Sequence, residues 1–560
     1  MQDAYRPEAY RQRRLTKSYW PADSSRPYLE WTLGQALADA AAAEPEREAV
    51  VEYLPDGSRG RSWTYAGLEA EAHRVAAALL TQFRPGERVA VCANNIPEWM
   101  LLLYGCALAG IVLVTVNPAC KARELKHILG NSGAVGLFCI DQFRGQNCLS
   151  EVEALCAELP CLREIIRFAD FLAFVDAGSG GGQSVALPDV KPRDPCLILF
   201  TSGTTGLQKG VVFHHEGVAN MALLTHERGG LRDGGVFVSP MPLFYIGGLG
   251  HAGVGAVMHR ATHVVVPHFE PELLMSIIER EKGNYSLLVP TMIEAVLAHP
   301  SRADFNLGSL AHIISGASVV EARLIRRTNA ELGCTLCNVY GQTEMEGVVT
   351  STHRDDAEAD VTGTIGQPIA HFEVKIADPE TGDVVPIDQP GEIWVRGPQV
   401  MLGYFGMAEE TAKTLRPDGW LRSGDIATMD TRGFISITGR LKEMIIRGGE
   451  NVYPREVENL LLEHPAISAV AVIGLPHPYW GEQVAAVIVP SSAGTLPSVE
   501  ELQDFVRRNL AAYKAPSQWF FTDAFPFTDT GKLQKYKLVD AIREGLLTCA
   551  PPLLAGQRQT

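Results

Sequence analysis

Along its first 340 residues the chain alternates between two spacings of apolar positions. In "TYAGLEAEAHRVAAALLTQF" they recur every three to four residues, which predicts an amphipathic helix. "RVAVCANN" is a short apolar run and predicts a strand, "PEWMLLLYGCALAG" a helix, and "IVLVTVNP" another strand, together one β-α-β unit. The same order returns at "THVVVPHF", "EPELLMSIIEREKG" and "SLLVP", and again at "LAHIISGAS", "VVEARLIRRTNAELG" and "TLCNVYG". The expected class is α/β, with a large mixed or parallel sheet flanked by helices.

From about residue 361 the pattern changes to short runs separated by Gly, Pro and Asp: "EVKIAD", "GEIWVRG", "GWLRSGDIATMD" and "GFISITG". A β-rich subdomain is expected over about 361–438. After it, "GRLKEMIIRGGENVYPREVENLLLEHPAISAVAVIGLP" restarts a helix-and-strand pattern in a segment long enough for an independent domain. The expected division is an N-terminal body of layered α/β sheets over 1–438, a joint at 439–442, and a small mobile α+β domain over 443–560. "DAGSGGGQS", residues 176–184, predicts a surface loop.

Composition narrows the function classes. With 46% hydrophobic and 20% charged residues over 560 positions, the chain has the make-up of a folded, enzyme-sized protein. A net charge of -16 argues against a nucleic-acid partner, which would need massed basic residues. No apolar run is long enough to span a bilayer, and the basic start "MQDAYRPEAYRQRRLTK" lacks a following apolar segment, so a cytoplasmic location is expected. The closing "GQRQT" is not a peroxisomal address. Eleven cysteines form no paired framework; Cys334 and Cys337 make one C-x-x-C inside an apolar run that reads as a buried strand, without the further ligands zinc needs.

The chemistry starts between "CLILF", a predicted strand, and "EGVANMALLTHE", a predicted helix. The loop expected to join them is "TSGTTGLQKG". Gly203, Gly206 and Gly210 let backbone N–H groups turn toward an anion; Thr201, Ser202, Thr204 and Thr205 add hydroxyl donors, and Lys209 adds a charge. Such a loop fits a polyphosphate. It is not a Walker loop, because Lys209 precedes Gly210 and no Ser or Thr follows the lysine. By composition alone, a solvated turn is the competing reading.

"TSGTTGLQKG" resembles the phosphate-loop signature of adenylate-forming enzymes, the superfamily of acyl-CoA synthetases, firefly luciferase and nonribosomal adenylation domains. "VYGQTEM" (339–345), "GWLRSGD" (419–425), "GRLKEMIIRGGENVYPREVE" (439–458) and "PFTDTGKLQK" (526–535) are similar to its further signatures, in its order. The resemblance covers nearly the whole chain and implies a two-step reaction. A carboxylate attacks the α-phosphorus of ATP, pyrophosphate leaves, and the acyl adenylate then passes its acyl group to the thiol of coenzyme A.

That resemblance also implies residue roles. Thr201, Ser202, Gly203, Thr204, Thr205, Gly206 and Lys209 would hold the β- and γ-phosphates. Glu344, with Thr204, would hold Mg²⁺, an ion that prefers oxygen ligands; otherwise Glu344 is an exposed strand-end carboxylate. Tyr340 and Gly341 would border adenine, with Gly316, Ala317 and Ser318 beside the base and acyl pocket; a core tyrosine is the alternative. Asp425 would accept from the ribose hydroxyls, and Arg440 would reach the same sugar or the phosphates. Lys532 would bring its ammonium to the carboxylate and α-phosphate, while Lys535 and Lys537 read as a solvated basic stripe. Lys442 would be the hinge about which the small domain turns, presenting Gly448 and Gly449 to the incoming pantetheine.

Three positions depart from the pattern. Gln208 stands where proline is common, Tyr245 where many CoA ligases carry histidine, and Glu443 where aspartate is frequent. The acyl pocket is expected to draw on Tyr245, the glycines at 247, 248 and 250, and Met345. "VNPACKARELKHILGNSGA" is more similar to fatty-acid and aromatic-acid CoA ligases than to peptide-synthetase domains. Transfer to a carrier-protein thiol or an amine is the alternative within enzymes, and an ATP-binding sensor without turnover the alternative outside them. A homodimer stays open.

Overall fold

The computed structural model describes residues 8–179, 186–201, 208–318, 320–491, 498–527 and 533–549. The predicted β-α-β units form, but they divide between two large sheets where the pattern suggested one. The seven-stranded sheet runs in the order Gly403–Tyr404, Lys209–His214, Pro195–Thr201, Val112–Val116, Arg88–Cys92, Gly136–Cys139, Glu164–Arg167. Its last five strands are parallel. The nine-stranded sheet is parallel from Thr335–Tyr340 through His312–Ser315, Tyr285–Leu287, Val236–Ser239 and Thr262–Val265 to Glu48–Tyr53.

Helices fill the space between. Tyr65–Gln82 begins where the Thr64 hydroxyl accepts the Gly67 N–H, an N-cap. Glu98–Ala109 is enclosed on almost every side and ends at Gly110, whose φ of 65° closes the helix. Residues from both helices and both large sheets join one continuous core.

Two local readings change. "VVFHH" is not part of a loop-to-helix passage: residues Lys209–His214 form a strand antiparallel to Pro195–Thr201, and the helix His215–Gly229 follows. The glycine and hydroxyl loop therefore closes a hairpin, with Thr201 paired to Lys209 across it. The chain at 176–179 is helical, as the end of Phe171–Ser179, because Gly178 packs on Ala78. Residues 180–185 lie outside the described set.

A third, antiparallel sheet holds Tyr19–Trp20, Glu373–Ala377, Gly391–Arg396, Leu421–Met429 and Ile435–Arg440. A fourth holds Glu450–Val452, Ile445–Arg447, Gly481–Pro490, Ile467–His477 and Gln518–Phe521, backed by the helices Pro454–Leu462, Val499–Asn509 and Lys535–Arg543. It has its own apolar cores. Cys334 and Cys337 are buried, the latter in the strand Thr335–Tyr340, as the alternating run predicted. Among the described residues no helix is long and apolar enough to cross a membrane.

Candidate active site

The C-terminal end of the strand Thr335–Tyr340 meets the edge of the third sheet, and there Asp425 collects donors. Tyr340 Oη donates to its Oδ2 over 2.7 Å. Gln342 Nε2 donates to the same oxygen over 2.7 Å and to the Ser423 carbonyl over 2.9 Å. Arg440 Nε lies 3.0 Å from Oδ1, directly across the ladder, since Asp425 and Arg440 are register partners. Asp425 is 4% exposed, so this enclosure must be compensated, and three charge-assisted or hydroxyl donors do so. Burial and then the Asp425 charge hold the Tyr340 phenol well above its ordinary value, which keeps it a neutral donor. A carboxylate has about four acceptor positions. A vicinal diol binding here would therefore have to displace one of the three protein donors.

Glu344 sits on the single helical turn Thr343–Met345 just beyond that strand. Its Oε1 accepts the Tyr404 hydroxyl over 2.8 Å, and its carbonyl accepts the Met401 N–H over 3.1 Å. Tyr404 also lies under Lys209, whose Nζ is 4.8 Å from the ring centre and 2.5 Å from Glu410 Oε2. The Lys209 contact draws the Glu410 carboxyl down to about 2. Burial, then Glu344, raises the Tyr404 hydroxyl. Thr201 is half-buried at the end of its strand, while Ser202, Gly203, Thr204, Thr205 and Gly206 lie outside the described residues. Glu344 offers carboxylate oxygen, the donor type Mg²⁺ takes, next to the Tyr404 ring that lies under Lys209. Among the described residues no cluster of three or more ligating side chains exists.

Two residues past Glu344, the backbone of Glu346 is left-handed (φ 53°) and the residue is fully buried. Its Oε1 accepts the His214 N–H over 3.2 Å, and Oε2 has no partner. A Cβ on Gly217 would lie 1.8 Å from Oε2, so the glycine makes the space for this carboxyl. Burial raises the Glu346 carboxyl well above its ordinary value. The contact ties the Glu344 turn to the strand that begins at Lys209.

Of the residues expected to line an acyl pocket, Tyr245 is half-buried, with its hydroxyl 3.4 Å from Asn117 Nδ2 and its ring 4.7 Å from Phe244. Gly248 is buried against the Pro242 carbonyl, and Met345 is fully enclosed in the main core. Tyr245, Ile246 and Gly247 are each half-buried. Gly316 is buried and Gly341 half-buried, whereas Ala317, at φ 65°, and Ser318 are exposed at the end of the strand His312–Ser315. Gln208 presents its carbonyl to His127 Nε2 at 2.7 Å, a tie that involves the backbone rather than the side chain.

Lys442 lies in the single turn Leu441–Glu443. Gly448 and Gly449, both at positive φ, turn the hairpin between Ile445–Arg447 and Glu450–Val452. The Gly448 N–H donates to the Trp480 carbonyl over 2.8 Å, and a Cβ there would lie 2.5 Å from the Trp480 ring. Arg447 covers that ring at 5.1 Å, and Tyr479 stands edge-on to it, 78% exposed. Lys532 lies outside the described residues. Lys537 is exposed, but Lys535 is not part of a solvated stripe: its Nζ is 3.0 Å from Glu443 and 2.7 Å from Glu458.

Gln342, Tyr404, Glu410, Glu346 and Trp480 were not foreseen as site residues. Gln342 is inside "YGQTE" and Glu346 directly follows "YGQTEM", so both lie beside a signature, whereas Tyr404, Glu410 and Trp480 are brought in by pairing between distant segments and carry no local signal.

A family model described as AMP-binding enzyme matches residues 37–405, and one described as AMP-binding enzyme C-terminal domain matches 456–532. The mitochondrial medium-chain acyl-CoA ligase ACSF2 of Mus musculus is 32% identical over 94% of this chain and 90% of its own. A feruloyl-CoA synthase of Amycolatopsis sp. is 36% identical over 85% of this chain and 93% of its own. The crystal structure of the anthranilate CoA ligase AuaEII in complex with anthranoyl-AMP superposes with a TM-score of 0.80 at 27% identity, covering 92% of this chain and 98% of that one. The chain belongs to the AMP-binding enzyme family.

Proposed function

We propose that this enzyme, an acyl-CoA ligase that activates a carboxylic acid with ATP and passes the acyl group to coenzyme A, does so with the residues gathered around Asp425 and Glu344. The observation that carries this reading is the Asp425 cluster. It is a buried carboxylate with Tyr340, Gln342 and Arg440 around it, suited to a ribose diol, at the end of the strand that leads to Glu344. Lys209 and the loop 201–206 hold the terminal phosphates, with Lys209 released from Glu410 when they bind. Glu344 and Thr204 hold Mg²⁺, which would offset charge on the departing pyrophosphate. Lys532 orients the carboxylate against the α-phosphorus.

The body 1–438 carries the nucleotide and acid, and 443–560 turns about the joint 439–442, with Lys442 as pivot. Withdrawal of Lys532 opens the path for the thiol. The turn of Gly448 and Gly449, with Trp480 and Tyr479 beside it, then faces coenzyme A, and exposed aromatic rings suit its adenine or pantetheine arm. The acid is one with an apolar chain or a single aromatic ring. Supporting this are the aromatic and apolar character of Phe244, Tyr245 and Ile246, and the likeness to a medium-chain ligase and a feruloyl synthase.

Pyrophosphate release across a panel of medium-chain, cinnamic, benzoic and dicarboxylic acids, with product masses read after offering coenzyme A, a carrier protein or an amine separately, tests the reading. Release with an apolar acid and a CoA thioester is expected. Lys532→Ala should stop pyrophosphate release while sparing thioester formation from supplied acyl adenylate. Equal loss of both half-reactions would overturn the role given to Lys532.

A further inference from the structure

The turn Leu441–Glu443 is held on both sides by ion pairs. On one side Arg440 is fixed to Asp425 of the third sheet, Nε to Oδ1 3.0 Å. On the other side Glu443 Oε2 is 3.0 Å from Lys535 Nζ, which also sits 2.7 Å from Glu458 Oε1. Glu458 is 4% exposed and is itself anchored, accepting the Val472 N–H over 2.9 Å. Lys535 opens the helix Lys535–Arg543, and Glu458 lies in Pro454–Leu462, so one ammonium joins the turn to two helices of the C-terminal domain. Between the two pinned residues stand only Leu441 and Lys442. Lys442 makes no hydrogen bond or ion pair among the described residues.

We propose that Lys535 is a positioning residue that defines the small-domain side of the hinge. By holding Glu443 against Glu458, it confines rotation to Leu441 and Lys442 and makes the helix Lys535–Arg543 turn with the joint as one body. This rests on the proposed alternation of half-reactions. A backbone free to bend at 443–446 as well would let the domain swing without carrying that helix to a fixed place, and the step that needs Lys532, three residues earlier in the chain, would suffer most. A partly enclosed lysine between two carboxylates is suited to this. Loss of the ammonium leaves Glu458 enclosed beside a second acid, whereas arginine can span both.

The test uses the full-length protein with Lys535→Met, Glu443→Gln and Lys535→Arg. Hydrogen exchange is followed in peptides covering 437–446, without ligand. In Lys535→Met and Glu443→Gln the amides of 443–446 are expected to exchange about tenfold faster while those up to Arg440 keep their rates. Lys535→Arg should match the unaltered protein. With the acid selected by the pyrophosphate screen, adenylate formation should fall about fivefold more than thioester formation from supplied adenylate in the first two variants. Unchanged exchange in both variants would overturn the proposal, as would equal loss of the two half-reactions with a lowered Tm, which marks a purely structural lysine. A screen in which no acid releases pyrophosphate, alongside the expected exchange pattern, would overturn the functional reading and leave the hinge assignment standing.

Discussion

Lys209 Nζ and Glu410 Oε2 stand 2.5 Å apart, with the Lys209 ammonium over the ring of Tyr404. On the proposed reading, ATP has to take Lys209 from Glu410. Because Lys209 holds the Glu410 carboxyl down to about 2, that competition persists at any pH where the fold survives. Glu410→Gln should therefore lower the KM for ATP about threefold at low salt, while Lys209→Ala raises it at least tenfold. Titration of nucleotide binding at two ionic strengths checks both. Weaker binding in Glu410→Gln would show that the pair orients the lysine instead of competing for it.

Tyr404 orients Glu344 through one hydrogen bond of 2.8 Å. Tyr404→Phe removes that bond and the hydroxyl's contact with Thr414, and keeps the ring under Lys209. Its expected effect is a rise of about tenfold in the Mg²⁺ concentration needed for half-maximal pyrophosphate release, in line with about 1.5 kcal/mol for a hydrogen bond to a charged group. ATP binding measured without Mg²⁺ should hardly change, and a large change there would contradict a role through Glu344.

Asp425 faces three protein donors, and its removal should cost more than the lost sugar contact. Asp425→Ala leaves Arg440, Tyr340 and Gln342 without their shared acceptor, so a drop of about a hundredfold in kcat/KM for ATP is expected. The sharper readout is selectivity. The unaltered enzyme should prefer ATP to 2′-deoxy-ATP, and the variant should treat the two alike.

Glu346 supplies a pH signature. Its folded value is raised by burial above the ordinary 4.5, so its contribution to stability is complete below 4.5 and is lost as pH rises toward the folded value. Glu346→Gln lacks that loss. The Tm of the variant relative to the unaltered protein should therefore climb as pH rises above the ordinary 4.5. His214 and His251, both lowered to about 4 by burial, act in the opposite direction, because the unfolded chain takes up protons below about 6.5 that the folded chain refuses. Both proteins should share that loss of stability on acidification, and parallel Tm curves across the whole range would show Glu346 ionised in the fold.

Much of this was written locally in the chain. The helices Tyr65–Gln82 and Pro271–Glu281 and the strands between them follow from spacing that any folded context must respect, because a helix or strand exposes one face at a fixed period. The ordered signatures around Lys209, Glu344, Asp425 and Lys442 were legible through their resemblance to a known family, and the family match over 37–405 and 456–532 bears out that resemblance. What the chain alone left open was which distant groups close on them. "VVFH" is a strand only because Pro195–Thr201 lies beside it, and Tyr404 reaches Glu344 only because two residues, Gly403 and Tyr404, join the far edge of the same sheet. Lys535 looked like a solvated charge until Glu443 and Glu458 were brought to it from 92 and 77 positions away. Such contacts depend on strand pairing and helix packing between remote segments, and local sequence carries no period or composition that encodes them.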